Sequence, residues 1–275
     1  MTLIVINLTD PGGFNALSDS RVSSDMGDRI SKVTDSLTKL FIVPFLFTSA
    51  KKGKHKVGND GMRKRYSGKF GFAFSGSTLA ATTLHAMVSN VLLNMHDFNG
   101  TSKAPQFTTI AEVFLRCANL LNQETQVNPM RYEAAIFGYC PKSKTPRVFF
   151  LKWLQTEEGS EIGMQEIALK TGDVFAFGSG KAHFYRLAEA GKKTKRSIFD
   201  LTIEAIQTNP DKGTGGALQA MSIAKAKQEY HAVLQKSVNN PLEVEIFVAG
   251  IRASALQQID GYTLGRIAIG AGLRS

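Results

Sequence analysis

The sequence has little cysteine. Its 275 residues include only Cys117 and Cys140, and neither has a CxxC partner or the spacing of a metal-ligand set. This argues against a disulfide-stapled secreted scaffold and a zinc ribbon, and it favours a reducing, intracellular location. The five histidines show no paired metal spacing either. We therefore predict neither a bound metal nor a cofactor.

Long hydrophobic segments are also missing. No window approaches the roughly 18 consecutive apolar residues that a membrane-spanning helix requires. The first ten residues lack the basic and apolar segments of a secretory signal peptide. The run LFIVPFLF is short and contains Pro44, so we interpret it as a buried strand near a sheet edge or bulge. We expect a cytoplasmic protein that does not enter a membrane.

Acidic residues are outnumbered, since 33 lysines and arginines against 23 carboxylates give a net charge of +10. Much of the excess lies in KKGKHK, MRKRYSGK and GKKTKR. Such clusters are usually solvated loop faces, although they also contact acidic partners or nucleic acid. They lack the interleaved aromatic residues of single-strand binders. We interpret residues 51–68 and 188–215 as basic loop insertions that regulate access or bind an acidic partner.

The apolar pattern predicts one domain over residues 1–275, without internal repeats. TLIVINL, the turn DPGG and FNALSDSRV predict an N-terminal hairpin whose first strand begins at Thr2. TKLFIVPFLF and KFGFAFSG predict two further strands. Helical spacing of apolar residues predicts helices over 79–95 and 109–122. Because strands and helices occur in blocks, the pattern favours a layered α+β fold.

The second half predicts more strands. YEAAIFGYC, RVFFLKWLQ and DVFAFGSGKA are strand-like, and so is LEVEIFVAGI near the end. Between them, residues 216–235 (GALQAMSIAKAKQEYHAVLQ) are rich in alanine, lysine and glutamine. We predict a helix there, ended by SVNNP.

Four motifs, in order, resemble the β-type subunits of the proteasome superfamily, and the bacterial proteasome-like (Anbu-like) branch in particular. They are the strand that begins with threonine, LSDSRVS, TKLFIV and GFAFSGSTLAATTL. In that family a mature N-terminal threonine is followed by A-A-D-[ST]-R, a lysine before an apolar strand, and a glycine turn into a helix. The resemblance implies a four-layer αββα sandwich of the N-terminal nucleophile (Ntn) hydrolases. It also implies a threonine endopeptidase enclosed in a homo-oligomeric ring or spiral, with helices 79–95 and 109–122 as candidate contact surfaces.

A mature N-terminal threonine combines an alcohol nucleophile and an α-amine in one residue. Once Met1 is removed, the amine of Thr2 takes the hydroxyl proton, directly or through one water. The ordinary pKa of such an amine, about 7.7–8.0, leaves a useful neutral fraction at cellular pH. We therefore predict that Thr2 is the nucleophile. The alternative is that Thr2 only begins a strand.

The resemblance also assigns an ion pair. Lys39 matches the lysine before the apolar strand, with Lys32 as an alternative seven residues earlier. A buried ammonium beside the nucleophile lowers the pKa of hydroxyl and amine. By resemblance, Asp19 pairs with Lys39, and Arg21 anchors the turn. Choosing Lys39 implies a few inserted residues after Arg21.

Three further parts of the site come from the resemblance. The FSGST turn supplies an oxyanion hole from the backbone amide of Ser77 or Gly76, although the family commonly carries glycine where Ser77 stands. Ser179 in FGSGK matches the serine that completes a proton relay at the terminal amine. The late D-x-x-S-G-G stretch is assigned to SVNNPLEV, where Ser237 and Asn240 stand at the places of its aspartate and serine, and Pro241 replaces its first glycine.

The substrate implied is an unfolded polypeptide or a peptide, and any ATP-dependent unfoldase partner is left open. Two other functions stay possible at this point. A catalytically inactive assembly or binding subunit is favoured by the missing carboxylate in SVNNPLEV. A nucleic-acid-binding protein is favoured by the net charge of +10, and it would show salt-dependent affinity.

Overall fold

A computed structural model describes residues 2–9, 13–25, 30–49, 64–97, 103–124, 131–156, 159–191, 196–210, 213–225, 228–236, 244–249 and 251–252. In these residues the strands are β1 (Ile4–Thr9), β2 (Gly13–Asp19), β3 (Val22–Asp25), β4 (Ile30–Thr34), β5 (Leu40–Ser49), β6 (Lys64–Gly76), β7 (Met95–Asp97), β8 (Tyr132–Tyr139), β9 (Pro146–Thr156), β10 (Gly159–Ile167), β11 (Val174–Phe177), β12 (Leu218–Ala224), β13 (Gln228–Lys236), β14 (Val244–Val248) and β15 (Ile251–Arg252). The helices are α1 (Thr78–Leu93), α2 (Phe107–Glu124), α3 (Lys181–Gly191) and α4 (Ile198–Thr208).

Two sheets form the centre of the fold. The first contains seven strands in the order β11-β1-β2-β12-β13-β14-β15, and the second contains six in the order β10-β9-β8-β6-β5-β7. A separate two-stranded ribbon pairs β3 with β4. The predicted N-terminal hairpin is present, since β1 and β2 pair antiparallel from Ile4 opposite Ser18 to Thr9 opposite Gly13.

Three buried clusters define four layers. One lies between the sheets and includes Ile4, Ile6, Phe14, Leu40, Phe137 and Phe150. A second packs the six-stranded sheet against α1 and α2, and a third packs the seven-stranded sheet against α3 and α4. The predicted αββα sandwich is therefore confirmed. Because successive side chains of a strand point to opposite faces, β1 is apolar on both faces: Ile4 and Ile6 face the other sheet, while Val5 faces the helices.

The first two helices lie where the apolar spacing predicts them. α1 begins after Ser77, whose side-chain oxygen accepts a hydrogen bond from the backbone nitrogen of Ala80 at 3.4 Å. This is the N-cap contact that serine supplies well. The apolar faces of α1 and α2 are buried against the sheet at residues such as Leu84 and Phe114. No helix in the part of the chain listed above is long and apolar enough to cross a membrane.

The predicted helix over 216–235 is wrong, because this segment forms the hairpin β12–β13. β12 lies between β2 and β13 and is buried on both faces: Leu218 contacts the helical layer and Met221 the other sheet. Alanine, lysine and glutamine favour a helix locally, but this preference amounts to only tenths of a kcal/mol per residue. Pairing with two neighbouring strands and burial on both faces outweigh it.

Other predicted boundaries also change. Most of the proposed basic loop 188–215 is the end of α3 and α4, and β10 and the β3–β4 ribbon were not predicted. The ribbon accounts for the insertion expected after Arg21. In the 51–68 loop, β6 already begins at Lys64, and residues 51–63 lie outside the described part of the chain. Pro44 sits in β5 near the sheet edge, as expected, because β7 pairs with β5 only at residues 47–49.

Candidate active site

Three predicted residues meet where the two sheets approach each other. Thr2 lies two residues before β1, and Asp19 ends β2; both strands belong to the seven-stranded sheet. Lys39 directly precedes β5 of the six-stranded sheet. All three are buried, with exposed fractions of 3%, 0% and 2%. Polar side chains so deeply buried need hydrogen-bond partners. Lys39 supplies one to Thr2 and one to Asp19.

The ammonium of Lys39 makes three hydrogen bonds. Nζ lies 2.9 Å from Thr2 Oγ1, 3.1 Å from Asp19 Oδ2 and 2.5 Å from the carbonyl oxygen of Arg21. These contacts match the three donors of a lysine side chain. The alternative residue, Lys32, is exposed and contacts Asp35 at 3.2 Å, so the geometry selects Lys39.

Backbone groups and a buried amide hold Asp19 in place. Its Oδ1 accepts from the Leu3 nitrogen at 2.9 Å, and its Oδ2 accepts from the Gly215 nitrogen at 3.2 Å. Gln219, only 1% exposed, accepts from the Lys39 nitrogen at 3.0 Å and donates to the Asp19 carbonyl oxygen at 3.3 Å. Sequence reasoning missed Gln219, because it falls in the segment predicted as a helix.

Burial shifts both members of the ion pair. It lowers the pKa of Lys39, against the opposing charge of Asp19. It also raises the pKa of Asp19, against the charge of Lys39 and the hydrogen bonds from Leu3 and Gly215. Lys39 therefore releases a proton at lower pH than a surface lysine does, directly beside the Thr2 hydroxyl.

The Gly-Ser-Gly loop wraps around Thr2, as the motif implied. The backbone nitrogen of Thr2 donates to Ser179 Oγ at 3.1 Å, and the Gly180 nitrogen donates to the Thr2 carbonyl oxygen at 3.2 Å. Gly178 has a positive φ of +87°, and a Cβ there would lie 2.3 Å from the Thr2 carbonyl oxygen. Only glycine permits this close approach.

Of the two predicted oxyanion donors, Ser77 is not available. Its backbone nitrogen donates to the Arg131 carbonyl oxygen at 2.9 Å, which corrects that prediction. The Phe74 nitrogen donates to the Lys39 carbonyl oxygen at 3.3 Å. Gly76, the last residue of β6, stays the predicted donor.

The serine at position 77 imposes no backbone penalty. Ser77 has φ −61° and ψ 112°, which any residue adopts. The residue with a positive φ is Gly76, at +103°, and a Cβ there would lie 2.6 Å from the Arg131 carbonyl oxygen. Glycine is therefore required at 76 and not at 77.

The segment before β12 joins the site, and sequence reasoning missed it. Besides the contact of Gly215 with Asp19, the Arg21 nitrogen donates to the Gly215 carbonyl oxygen at 3.0 Å. Thr214, only 2% exposed, accepts from Asn209 Nδ2 at 2.9 Å. The signal was present in the sequence: residues 211–216 read DKGTGG, which fits D-x-x-S-G-G with threonine for serine.

SVNNPLEV is the other match to this motif in the sequence. Its residues Ser237 and Asn240 lie outside the described part of the chain, and so does Asp211 of DKGTGG. The described part of the DKGTGG segment contacts Asp19 directly. The carboxylate that SVNNPLEV lacks is present in this sequence match, as Asp211.

Arg21 supports the turn. Its Nε lies 2.7 Å from Asp35 Oδ1, and its guanidinium packs against Gly215, where a Cβ would lie 2.4 Å from Arg21 Cζ. Its carbonyl oxygen accepts from Lys39. Arg21 thus fixes the backbone around the ion pair through side chain and main chain together.

An open groove of about 390 Å³ lies beside this site. It is lined by Ser75, Gly76, Arg131, Tyr132, Glu133, Lys152, Trp153, Gly178 and Ser179. Glu133 also accepts from the Gly178 nitrogen at 3.1 Å, which ties the groove to the Gly-Ser-Gly loop. The described residues contain no group of three or more histidine, cysteine, aspartate or glutamate side chains placed to hold a metal ion.

Comparison with known proteins supports the fold. No protein-family model matches the sequence, and no curated protein matches it significantly. Among solved structures, the chain is similar to Anbu (ancestral beta-subunit) from Yersinia bercovieri, with a TM-score of 0.52 and 12% identity. The match covers 84% of this chain and 86% of that chain. This similarity confirms the proteasome-like fold that the ordered motifs indicated.

Proposed function

We propose that this proteasome-like fold carries a threonine peptidase in which Thr2, as the first residue of the mature chain, is the nucleophile. The observation that supports this most strongly is the 2.9 Å contact between Lys39 Nζ and Thr2 Oγ1, with Lys39 held by Asp19. A buried cation at that distance stabilises the alkoxide that forms during attack. The groove beside Ser179 offers a path for substrate.

The reaction begins with proton transfer from the Thr2 hydroxyl to its own α-amine. Oγ1 then bonds to the peptide carbonyl carbon, and the leaving amine takes a proton as the C–N bond breaks. Water hydrolyses the resulting ester and returns Thr2 to its starting state. Ser179, which contacts the Thr2 nitrogen at 3.1 Å, positions the amine and passes protons to and from it.

Negative charge develops on the carbonyl oxygen of the substrate during attack. In this proposal the Gly76 N–H, near the N-terminus of α1, donates to that oxygen. A fixed backbone donor of this kind is worth about 10²- to 10³-fold in rate. The N-terminal end of the helix dipole adds favourable potential there.

The peptidase would act in a homo-oligomer in the cytoplasm, on unfolded polypeptide. Exposed large hydrophobic residues on α1 and α2 support a subunit contact on that face of the sandwich. On α1, Leu79, Val91 and Leu93 are 63%, 44% and 42% exposed, and on α2 Leu120 is 51% exposed. Apolar side chains grouped on one outer layer favour association.

Mass spectrometry combined with peptide hydrolysis tests this proposal. The intact mass of the purified protein is expected to show Thr2 as the first residue. Fluorogenic peptides are expected to be cleaved by the wild type and slowly by Thr2→Ser, whereas Thr2→Ala is inactive. Thr2→Ser is the matched control, because it keeps the hydroxyl and removes only a methyl group.

The inactive alternative gives a different result. A retained Met1 together with no hydrolysis by the wild type would favour an assembly subunit without catalysis. Equal hydrolysis by wild type and Thr2→Ala would remove Thr2 from the mechanism and refute the proposal.

A further inference from the structure

A second pocket lies at the opposite end of the sandwich from Thr2. It has a volume of about 480 Å³ and is lined partly by the first residues of β6 and the last residue of β8. Lys69 in this pocket and Gly76 at the candidate active site are seven residues apart on β6, which corresponds to about 23 Å along a strand. The pocket and the candidate active site are therefore separate.

The lining of this pocket is strongly basic. Arg65 and Lys69 come from β6, Lys144 from the turn after β8, and Lys225 from the β12–β13 turn. No carboxylate is among the described residues that line it. None of the four basic side chains takes part in a salt bridge within the described residues. Cations brought together from three elements without a counter-charge raise the local affinity for anions.

Tyr139 also lines the pocket. Lys225 Nζ lies 5.7 Å from the centre of its ring, a distance at which a cation is attracted to an aromatic face. This contact helps to hold the Lys225 side chain beside the pocket.

The backbone at Lys144 carries a second local signal. Lys144 has φ +60°, a left-handed conformation that glycine and asparagine adopt far more readily than lysine. The turn is held by hydrogen bonds from Cys140 to Thr145 and from Lys144 to Cys140, at 2.9 and 2.8 Å between nitrogen and oxygen. Residues in strained backbone conformations occur often at functional sites, so the position of Lys144 is consistent with a role in this pocket.

We propose that this pocket binds a small molecule that carries a chain of phosphate groups. Phosphate oxygens accept from arginine and lysine in short, charge-assisted hydrogen bonds, and each phosphate concentrates more charge than a carboxylate. The volume matches that of small-molecule sites. The rings of Tyr66 and Phe45, which also line the pocket, provide a surface for a nucleobase if the phosphates belong to a nucleotide.

Calorimetric titration of the full chain with tripolyphosphate tests this proposal, and ATP is the second probe. We expect one site per chain and an affinity that falls between about 50 and about 200 mM salt. The double variant Lys69→Gln/Lys225→Gln is expected to bind about tenfold more weakly, because two charge-assisted contacts are lost.

The matched control is Lys103→Gln/Lys170→Gln, which changes the net charge equally at two exposed lysines outside the pocket. It is expected to bind tripolyphosphate like the wild type. Equal losses in both double variants would mean that the net charge of the protein binds the anion, and would overturn the proposal. No binding by the wild type would do the same.

Comparing tripolyphosphate, ATP and hexaglutamate identifies the class of anion that the pocket binds. Tighter binding of ATP than of tripolyphosphate assigns a nucleotide, and equal binding assigns an inorganic polyphosphate; both outcomes support the proposal. If hexaglutamate binds more tightly than either and is lost in Lys69→Gln/Lys225→Gln, the pocket takes an acidic peptide and the proposal is wrong. Unchanged thermal unfolding of each variant shows that its fold is intact.

Discussion

Lys39 Nζ lies 2.9 Å from Thr2 Oγ1, and the two residues belong to different sheets of the sandwich. Thr2 leads into β1 and Lys39 leads into β5, so the contact crosses the interface between the layers. Asp19, at the end of β2, holds Lys39 on the side of the threonine. The relation between hydroxyl and ammonium therefore depends on how the two sheets pack.

Removing the charge of Lys39 should destabilise the protein. Lys39→Met keeps much of the side-chain volume but leaves the Asp19 carboxylate buried without its counter-ion, so we expect a loss of about 3–5 kcal/mol in the free energy of unfolding. Asp19→Asn combined with Lys39→Met should recover much of this loss. Urea unfolding of the wild type and of these two variants measures the loss and its recovery. The more exposed Lys32–Asp35 pair offers the control. Lys32→Met should lower the free energy of unfolding by no more than about 1 kcal/mol.

The rate of peptide hydrolysis should have a bell-shaped dependence on pH. The terminal amine must be neutral to accept a proton, so the rate rises as pH increases through a pKa at or below about 7.7–8.0. The charge on Lys39 must be retained, and burial lowers its pKa from the ordinary value of 10.5. As pH increases further, the rate should therefore fall again, with a midpoint below pH 10.5. Lys32→Met should keep this alkaline limb, and a rate that climbs steadily past pH 10.5 would contradict the assigned role of Lys39.

Replacing Gly76 by alanine and replacing Ser77 by alanine should have different effects on kcat. Gly76→Ala places a Cβ 2.6 Å from the Arg131 carbonyl oxygen at φ +103°, which shifts the proposed oxyanion donor, so kcat should drop by about 10²-fold or more. Ser77→Ala removes only the N-cap of α1 and should cost about 1 kcal/mol of stability with little change in kcat. Equal kcat losses in both variants would show that Gly76 has no special role.

The Arg21–Asp35 pair should make stability depend on pH in the acid range. Partial burial alone would raise the pKa of Asp35, but its hydrogen bonds and charge interactions with Arg21 and Lys32 lower it overall. A lowered pKa in the folded state means that the carboxylate stabilises the fold above its ordinary pKa of 3.8. This contribution is lost as pH falls through the lower, folded value.

Unfolding of wild type and Asp35→Asn at several pH values measures this effect. Because Asp35 is partly solvated, the difference at neutral pH should stay below about 1 kcal/mol. It should shrink as pH falls below 3.8. A difference that grows on acidification would have the wrong sign for a lowered pKa.

The sequence predicted the elements that have strong local signals. The first hairpin follows from β-branched runs around DPGG, and α1 and α2 follow from apolar spacing that matches their buried faces. Lys39 and Asp19 were predicted from motif order, and the structure brings them within 3.1 Å of each other. In these places the local preference and the tertiary environment agree.

Prediction failed where tertiary contacts outweigh local preference. Residues 218–224 have the composition of a helix but form a central strand, and the buried amide of Gln219 hydrogen-bonds there to the backbone of Asp19, Leu37 and Lys39. The segment DKGTGG, which precedes this strand at residues 211–216, also fits D-x-x-S-G-G with threonine for serine, and its Gly215 contacts Asp19.

Trapping of the acyl-enzyme tests the central claim most directly. Incubation with a peptide β-lactone, which acylates an attacking alcohol, followed by peptide mapping, locates the modified residue. We expect a single adduct on Thr2 at the mature N-terminus of the wild type. The adduct should be absent in Thr2→Ala and much slower to form in Lys39→Met/Asp19→Asn. An adduct on another residue, formed as fast in Thr2→Ala as in the wild type, would contradict the account.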